Sequence, residues 1–395
     1  MKKILFVIPT MRMGGAEQSL VSLLKTIDFK KYEVELLLFE KDGELLERVP
    51  SNVKVKEVDA VTQAMLLEFR KYFKKLLKSK NFCAIFARIF MLINSKFQNI
   101  TGNRKVFNWE VAKKVIPEWE EEYDIAVGYL EGVTDCYVID KVKALRKVGW
   151  IHTDVSKHKR CFEAEGLYYE QFNEIEIISE ECRKSFLTYY PSLEEKVKVF
   201  ENIVNQDDII RLSKETLPKE FQRGKFEIVT VGRLEYEKGI DIAIMAARQL
   251  KDNGVEFKWH VYGKGAQENE LQTLIKRLDL QQEFLLEGVV KNPYQYMVNA
   301  DVIVQSSRYE GKSIVLDEAK ILGCPIVVTN YPSAKDQIVD GTNGLVVEMS
   351  AEGVARGVKQ LYACVELRKK FSQKCKEMAV KGSDTELKIE KIMEG

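Results

Sequence analysis

Two carboxylates, Glu310 and Glu318, enclose seven residues in the segment Arg308-Tyr309-Glu310-Gly311-Lys312-Ser313-Ile314-Val315-Leu316-Asp317-Glu318-Ala319. One acid before a helix and another about two turns inside it can reach different parts of one elongated ligand. Carboxylates also accept hydrogen bonds well from vicinal sugar hydroxyls. Gly311 permits an unusual backbone turn, and the helix start offers N–H groups to an anion or a sugar oxygen. An ordinary loop and helix with solvated acids would leave the same trace. A second constellation, Gly232-Arg233-Leu234-Glu235-Tyr236-Glu237-Lys238-Gly239, carries two cations five residues apart. Arg233 could fork onto phosphate oxygens and Lys238 act as a compact charge. A solvated loop neutralised by Glu235 and Glu237 is the plainer alternative. In Met13-Gly14-Gly15-Ala16-Glu17 two glycines precede a helix, where an anion could approach backbone N–H groups. With only two adjacent glycines this departs from G-x-G-x-x-G and also describes a bare tight turn. Trp150-Ile151-His152-Thr153-Asp154 sets a histidine at the end of an apolar run, where it could face a ligand or simply cap a strand. His260, alternating within a strand, reads as ordinary, and so does His158 among Lys157, Lys159 and Arg160.

The elements that must position these residues alternate. Apolar runs at Ile4–Ile8, Val34–Phe39, Val53–Val58, Ile125–Tyr129, Lys147–His152 and Ile175–Ile178 are separated by helical patterns, the first from Glu17 to about Ile27. The pattern restarts with Phe226–Val231, Phe257–Tyr262, Phe284–Val290, Val302–Gln305, Ile326–Thr329 and Leu345–Val347. Short apolar strands between helices indicate βαβ units and parallel sheets buried on both faces. Gly263-Lys264-Gly265 is expected to open a helix. The polar stretch Asn205–Gly224 reads as a linker, dividing the chain into 1–204 and 205–382.

At 395 residues with 45% hydrophobic content, two domains with real cores are expected. The 61 Lys+Arg and 60 Asp+Glu nearly cancel, which argues against a nucleic-acid binder. Seven cysteines, an odd number with no C-x-x-C pair, suit free thiols in a reducing compartment. The opening Met-Lys-Lys-Ile-Leu-Phe-Val-Ile-Pro has too short an apolar run for a signal peptide and reads as a first strand. No D-x-D occurs in the chain, so no carboxylate pair of the kind that holds a divalent cation on a diphosphate is expected, nor any cofactor.

Segment 69–105 stands apart, with ten Lys/Arg and no Asp or Glu. Lys71, Lys74, Lys75 and Lys78 fall on one helical face, and Phe69, Phe73, Leu76 and Leu77 on another. Phe82–Ile93 is apolar apart from Arg88 and the weakly polar Cys83, yet too short to span a bilayer. The segment is expected to meet an anionic membrane surface, unless Phe82–Ile93 packs as a core helix beside solvated lysines.

Four motifs in order make the chain resemble family 4 retaining glycosyltransferases of the GT-B fold, including bacterial capsule and exopolysaccharide enzymes. Gly14 to Glu17 is similar to that family's N-terminal glycine loop, and Gly232 to Gly239 to its G-R-L-x-x-E-K-G motif. Gly263-Lys264-Gly265 is similar to its G-x-G turn. Glu310 to Ala319, followed by Gly323-Cys324-Pro325-Ile326-Val327, is similar to its E-x7-E segment. The resemblance implies two facing Rossmann-like domains with the active site in the cleft, and a C-terminal segment, 383–395, returning to the first domain. It implies that Arg233 and Lys238 grip a donor diphosphate, helped by Gly232 and Gly263, and that Glu318 holds the ribose hydroxyls. Glu310 would face the anomeric centre, Gly311, Lys312, Ser313 and Ile314 would line the sugar and distal phosphate, and Gly14 and Gly15 would lie opposite. The base would sit near Val290, and His152 would face the donor sugar. Lys312-Ser313 replaces the aromatic and proline many relatives carry, which leaves the donor sugar open. The implied reaction is metal-independent retaining transfer from a nucleotide diphosphate sugar, a uridine donor foremost, to a glycan or lipid-linked acceptor at the cytoplasmic face. A GT-B-like epimerase and a non-catalytic nucleotide-binding subunit are the alternatives. A Rossmann dehydrogenase fits poorly without G-x-G-x-x-G.

Overall fold

The computed structural model describes residues 1–67, 69–78, 81–97, 104–157, 162–216, 225–379, 390 and 392, without the side chains of 69, 70, 73, 74, 94–97, 104–107, 157 and 162–164. His158, Lys80 and residues 217–224 of the expected linker therefore lie outside the described residues. The chain divides into two compact units, Met1–Ile203 with Thr385–Gly395, and Val204–Asp384.

The first unit contains β1 (Lys2–Ile8), β2 (Tyr32–Leu38), β3 (Lys54–Glu57), β4 (Glu122–Gly128), β5 (Lys143–Ile151), β6 (Glu174–Ile177) and β7 (Val197–Val199). Their order in the sheet is β3-β2-β1-β4-β5-β6-β7, with every pairing parallel. Its helices are α1 (Gly15–Thr26), α2 (Ala60–Leu66), α3 (Phe69–Lys78), α4 (Phe82–Phe97), α5 (Arg104–Ala112), α6 (Val133–Lys141), α7 (Phe162–Tyr169) and α8 (Glu180–Tyr189). Ile4 to Ile8 are completely buried, as a central parallel strand covered on both faces requires. At the other end of the chain, Ile392 is buried in this unit, Arg146 donates to its carbonyl, and Glu390 pairs with Lys31 at 2.7 Å.

The second unit contains β8 (Phe226–Val231), β9 (Phe257–Tyr262), β10 (Phe284–Gly288), β11 (Val302–Gln305), β12 (Ile326–Thr329) and β13 (Leu345–Val347), in the order β10-β9-β8-β11-β12-β13, again all parallel. Its helices are α9 (Gln206–Ser213), α10 (Ile240–Asp252), α11 (Glu268–Arg277), α12 (Tyr294–Met297), α13 (Ile314–Leu322), α14 (Ala334–Gln337), α15 (Ala351–Ala363) and α16 (Val365–Met378). Each sheet winds outward in both directions from its first strand. The winding reverses between β1 and β4 in one unit and between β8 and β11 in the other, and ligands of such sheets bind beyond the carboxyl ends of the strands at that reversal.

Several local expectations need correction. The first part of the expected linker is helical: Asn205 caps α9 by accepting from the N–H of Asp208 at 3.0 Å, and Ile209 is buried in the second unit's core. β10 ends at Gly288, whose φ of 75° breaks the extended run, so Val290 lies beyond the strand. β5 begins at Lys143, where Lys143, Arg146 and Lys147 mask the apolar signal. Gly263-Lys264-Gly265 does not open α11, which starts three residues later at Glu268. Glu318 is the fifth residue of α13, one turn in rather than two, because Ser313 rather than Gly311 precedes the helix.

Candidate functional site

Beyond the carboxyl ends of β8 and β11 the second unit brings together residues 72 positions apart in sequence. The Lys238 ammonium lies 2.7 Å and 2.9 Å from the two carboxylate oxygens of Glu310. Glu310 also accepts from Gln305 Nε2 at 2.9 Å and from Ser307 Oγ at 2.7 Å. Gln305 closes β11 and serves both sides of the Gly311 turn, since its amide carbonyl accepts from Ser313 Oγ at 2.8 Å. Ser333 Oγ donates to the Glu310 carbonyl at 2.9 Å. The carboxylate is thus held by three side chains, those of Lys238, Gln305 and Ser307, and its backbone by Ser333, an arrangement that sets its direction before any ligand arrives.

The two loops are joined through backbone as well. The Arg308 N–H donates to the Glu237 carbonyl at 2.7 Å, and the Arg308 guanidinium forks onto Asp241 at 2.8 Å and 2.6 Å. It also stacks over the Tyr236 ring at 4.1 Å. Gly239, at φ 60°, lies so near this junction that a Cβ would sit 2.1 Å from the Ser306 carbonyl oxygen. Gly263 and Gly265 serve the same purpose: Cβ atoms there would fall 1.9 Å from the Gly232 carbonyl oxygen and 2.3 Å from that of Leu234. Their immediate role is close backbone packing of the Gly232–Leu234 loop.

The remaining expected residues of this unit are less uniform. Arg233 is exposed and reaches Glu237 at 2.8 Å. Glu318 is only 1% exposed and accepts from the Tyr294 hydroxyl at 2.7 Å. Lys312 is turned inward, 3.7 Å from the buried carboxylate of Asp317, which also meets Lys320 at 2.8 Å. The Ser313 N–H, at the head of α13, donates to Gln337 Oε1 at 2.9 Å. Ile314 is buried, Val290 is half-buried past β10, and Gly311 and Gly232 are accessible in their loops.

In the first unit, Gly14 caps α1 with extended backbone and no side-chain bond, and Gly15 is the first helical residue. A Cβ on Gly14 would lie 2.2 Å from Glu17 Oε2, so the Glu17 carboxylate folds back over the turn. His152 follows β5 directly. Its backbone N–H donates to Glu131 at 2.9 Å, and Thr153 Oγ1 donates to the same carboxylate. The ring lies 4.9 Å from that of Tyr129 and parallel to Trp150. Burial pushes its pKa down to about 4; Glu131, Asn202 and the Tyr129 backbone oppose this only in part. Asn202 and the Tyr129 backbone lie beside the ring, but neither nitrogen reaches good hydrogen-bond geometry among the described residues; burial favours the neutral imidazole, which can donate or accept. A nearby recess is lined by Trp109, Gly132, Asp135, Glu165, Tyr168 and Tyr169. His260 is buried between Glu227 at 3.2 Å and Glu287 at 2.7 Å. Among the described residues no group of three His, Cys, Asp or Glu side chains converges as a metal ion would require.

Sequence reasoning missed Gln305, Ser307, Tyr294 and Glu131. The polar run Gln305-Ser306-Ser307 at the end of an otherwise apolar strand was the one available signal.

The fold and this polar centre define a class, that of α/β proteins with two doubly wound parallel-sheet units and a charged polar centre at the strand ends of one of them. Residues 213–378 match the family model described as glycosyl transferases group 1. A Campylobacter jejuni N-acetylgalactosamine-N,N'-diacetylbacillosaminyl-diphospho-undecaprenol 4-alpha-N-acetylgalactosaminyltransferase is 33% identical over 46% of this chain and 49% of its own length. An alpha-1,4-N-acetyl-D-galactosaminyltransferase of the same organism, named for a diNAcBac-PP-undecaprenol-linked acceptor, is 24% identical over 96% of this chain and 95% of its own. The chain covers only 43%, 49% and 38% of the first three curated relatives. Anabaena HepE, solved with UDP-glucose, aligns over 100% of both chains with a TM-score of 0.71 and 15% identity. The fold is therefore the GT-B fold, and the chain resembles group 1 glycosyltransferases, bacterial polysaccharide enzymes among them.

Proposed function

We propose that this protein is a retaining glycosyltransferase that moves a sugar from a nucleotide diphosphate donor, a uridine donor foremost, to a glycan or lipid-linked acceptor in cell-surface polysaccharide or glycolipid synthesis. The observation that carries this reading is the Lys238–Glu310 pair, assembled from two distant motifs beyond the ends of β8 and β11. Lys238 and Arg233 supply positive charge for the donor diphosphate, where negative charge grows as the bond from the anomeric carbon to the phosphate oxygen breaks. Glu310 faces the electron-poor anomeric centre. The acceptor hydroxyl oxygen forms the new bond on the face the diphosphate leaves, and its proton passes to a donor phosphate oxygen. Glu318 holds the ribose, Gly232 and Gly263 shape the diphosphate loop, and Val290 flanks the base. The backbone from Gly311 through Lys312 and Ser313 to Ile314 lines the sugar and distal phosphate.

On the acceptor side, Gly14, Gly15 and His152 of the first unit serve the donor sugar. The likeness to transferases named for undecaprenol-linked substrates supports a lipid-linked acceptor and a cytoplasmic place of action, peripheral on the inner membrane face through residues 69–105.

Screening nucleotide sugars for slow hydrolysis and thermal stabilisation tests the donor, and anomer analysis of the product tests retention. Turnover should persist in EDTA, because the cations named above replace a metal on the diphosphate. A strict requirement for Mn²⁺ or Mg²⁺ would remove the metal-free part of the reading. Epimerised nucleotide sugar formed without acceptor would favour an epimerase.

A further inference from the structure

The helix α4 is built inside out. Phe82–Ile93 contains a single charged residue, Arg88, and that residue points into the first unit. Its guanidinium donates to the carbonyl of Met65 at 2.9 Å and that of Leu67 at 2.7 Å, at the carboxyl end of α2, where helix carbonyls lack intrahelical partners. Ala84 and Met91 are buried beside it. The opposite face is apolar and largely exposed: Phe82 and Phe86 are each 70% exposed, Phe90 52%, Ile93 55% and Ile89 40%. These five sit at i, i+4, i+7, i+8 and i+11, one continuous stripe. Among the described residues, every exposed phenylalanine and isoleucine is on this stripe. Exposed apolar surface gathered in this way marks an interaction site rather than the scattered apolar contacts of an ordinary surface.

The charge around the stripe decides what covers it. Segment 69–105 has ten basic residues and no acid. Lys75 and Lys78 are exposed at the end of α3, next to exposed Leu77, just ahead of Phe82. Lys71 contributes less, because it is paired with Glu40. Lys75 also reaches Gln63 at 3.4 Å and lies over the Tyr72 ring. A protein partner with an apolar groove would need only the stripe, whereas an apolar stripe within a segment of ten basic residues and no acid matches the boundary between anionic headgroups and acyl chains. At 16 residues α4 is about 24 Å long and cannot cross a membrane, and no helix among the described residues is long and apolar enough to do so.

We infer that α4 lies flat on an anionic phospholipid leaflet, with Phe82, Phe86, Ile89, Phe90 and Ile93 among the acyl chains, Lys75 and Lys78 at the headgroups, and Arg88 holding the helix to α2. This rests on the proposed membrane location and gives it a surface and an orientation.

The test is co-sedimentation of the full chain with vesicles of phosphatidylcholine, alone or mixed with phosphatidylglycerol, at low and high salt. The wild type should bind the anionic vesicles, and less so at high salt. Phe82→Asp with Phe86→Asp should lower partitioning about tenfold or more, since two exposed aromatic contacts are replaced by charge. Lys75→Glu with Lys78→Glu should lower it chiefly at low salt. All four substitutions lie on exposed side chains, so circular dichroism and melting temperature should match the wild type. Absence of binding, indifference to lipid charge, or variants that bind as the wild type does would each overturn the inference. So would vesicle binding that appears only when a polyprenyl diphosphate is added, or wild-type dimers that Phe86→Asp dissociates. Donor hydrolysis measured in parallel separates the two claims: vesicle binding without turnover removes the transferase reading alone, and turnover without vesicle binding removes the docking surface alone.

Discussion

The two sheets share one winding, yet the ends of their central strands are finished differently. In the second unit Lys238, Glu310, Gln305, Ser307 and Ser313 are already satisfied by one another. In the first, the corresponding edge carries a glycine-capped helix and a buried histidine whose ring nitrogens complete no hydrogen bond among the described residues. A preassembled charged network stabilises developing charge without reorganising, but a ligand must compete for its members. A neutral, buried imidazole interacts more weakly and avoids that competition. In the proposed reaction the second unit would grip a charged leaving group and the first would meet an uncharged sugar, and the contrast fits that division.

The strongest way to break the comparison is at Lys238. Lys238→Ala should lower kcat with the true donor by about 10²–10³, as loss of one charge-stabilising donor does elsewhere. Glu310→Ala should cost roughly ten- to hundredfold, the worth of a charged hydrogen bond. Because the two share an ion pair, the double variant should fall short of the product of the single effects. Wild-type kinetics in both single variants would show that the charged network is only structural.

Glu318 sharpens the comparison differently, because it is both buried and expected to hold the donor. Glu318→Ala should weaken donor affinity roughly ten- to hundredfold, and it should also lower stability by about 1–3 kcal/mol by stranding the Tyr294 hydroxyl. Tyr294→Phe should leave most donor affinity intact. If calorimetry gave the two variants equal affinity losses, Glu318 would be acting through the fold alone.

His152 tests the first unit. Its folded pKa of about 4 lies below the unfolded value near 6.5, so the unfolded chain binds more protons between these limits. Its contribution to stability is full above about pH 6.5 and is lost as pH falls toward 4. That amounts to about 2 kcal/mol between pH 6.5 and 5. The stability difference between wild type and His152→Leu, from denaturant melts, should shrink by that much over the same interval. A difference independent of pH would mean that the imidazole is not held neutral. The smallest effect is expected at Arg233, which is exposed and already paired with Glu237. Arg233→Lys keeps the charge and loses the fork, so donor affinity should drop by about tenfold or less in titration.

The alternation of short apolar runs with helices determined the two parallel sheets, because strands buried on both faces must be apolar throughout. It set β8, β9, β11, β12 and β13 to the residue. It failed at β5, where Lys143, Arg146 and Lys147 interrupt the apolar pattern, and at α9, whose polar first turn looked like a linker. The four motifs were legible as residue types at the ends of strands. Which of them meet was decided by topology: β8 lies beside β11, and so Lys238 reaches Glu310 although 72 residues separate them. Local pattern carries no record of strand order, and therefore none of the partners it creates, Gln305, Ser307 and Tyr294 among them. The same limit holds for α4. Sequence gave its apolar length, but only tertiary packing settled which face turns inward, because the carbonyls ending α2 need a donor and Arg88 is the donor within reach.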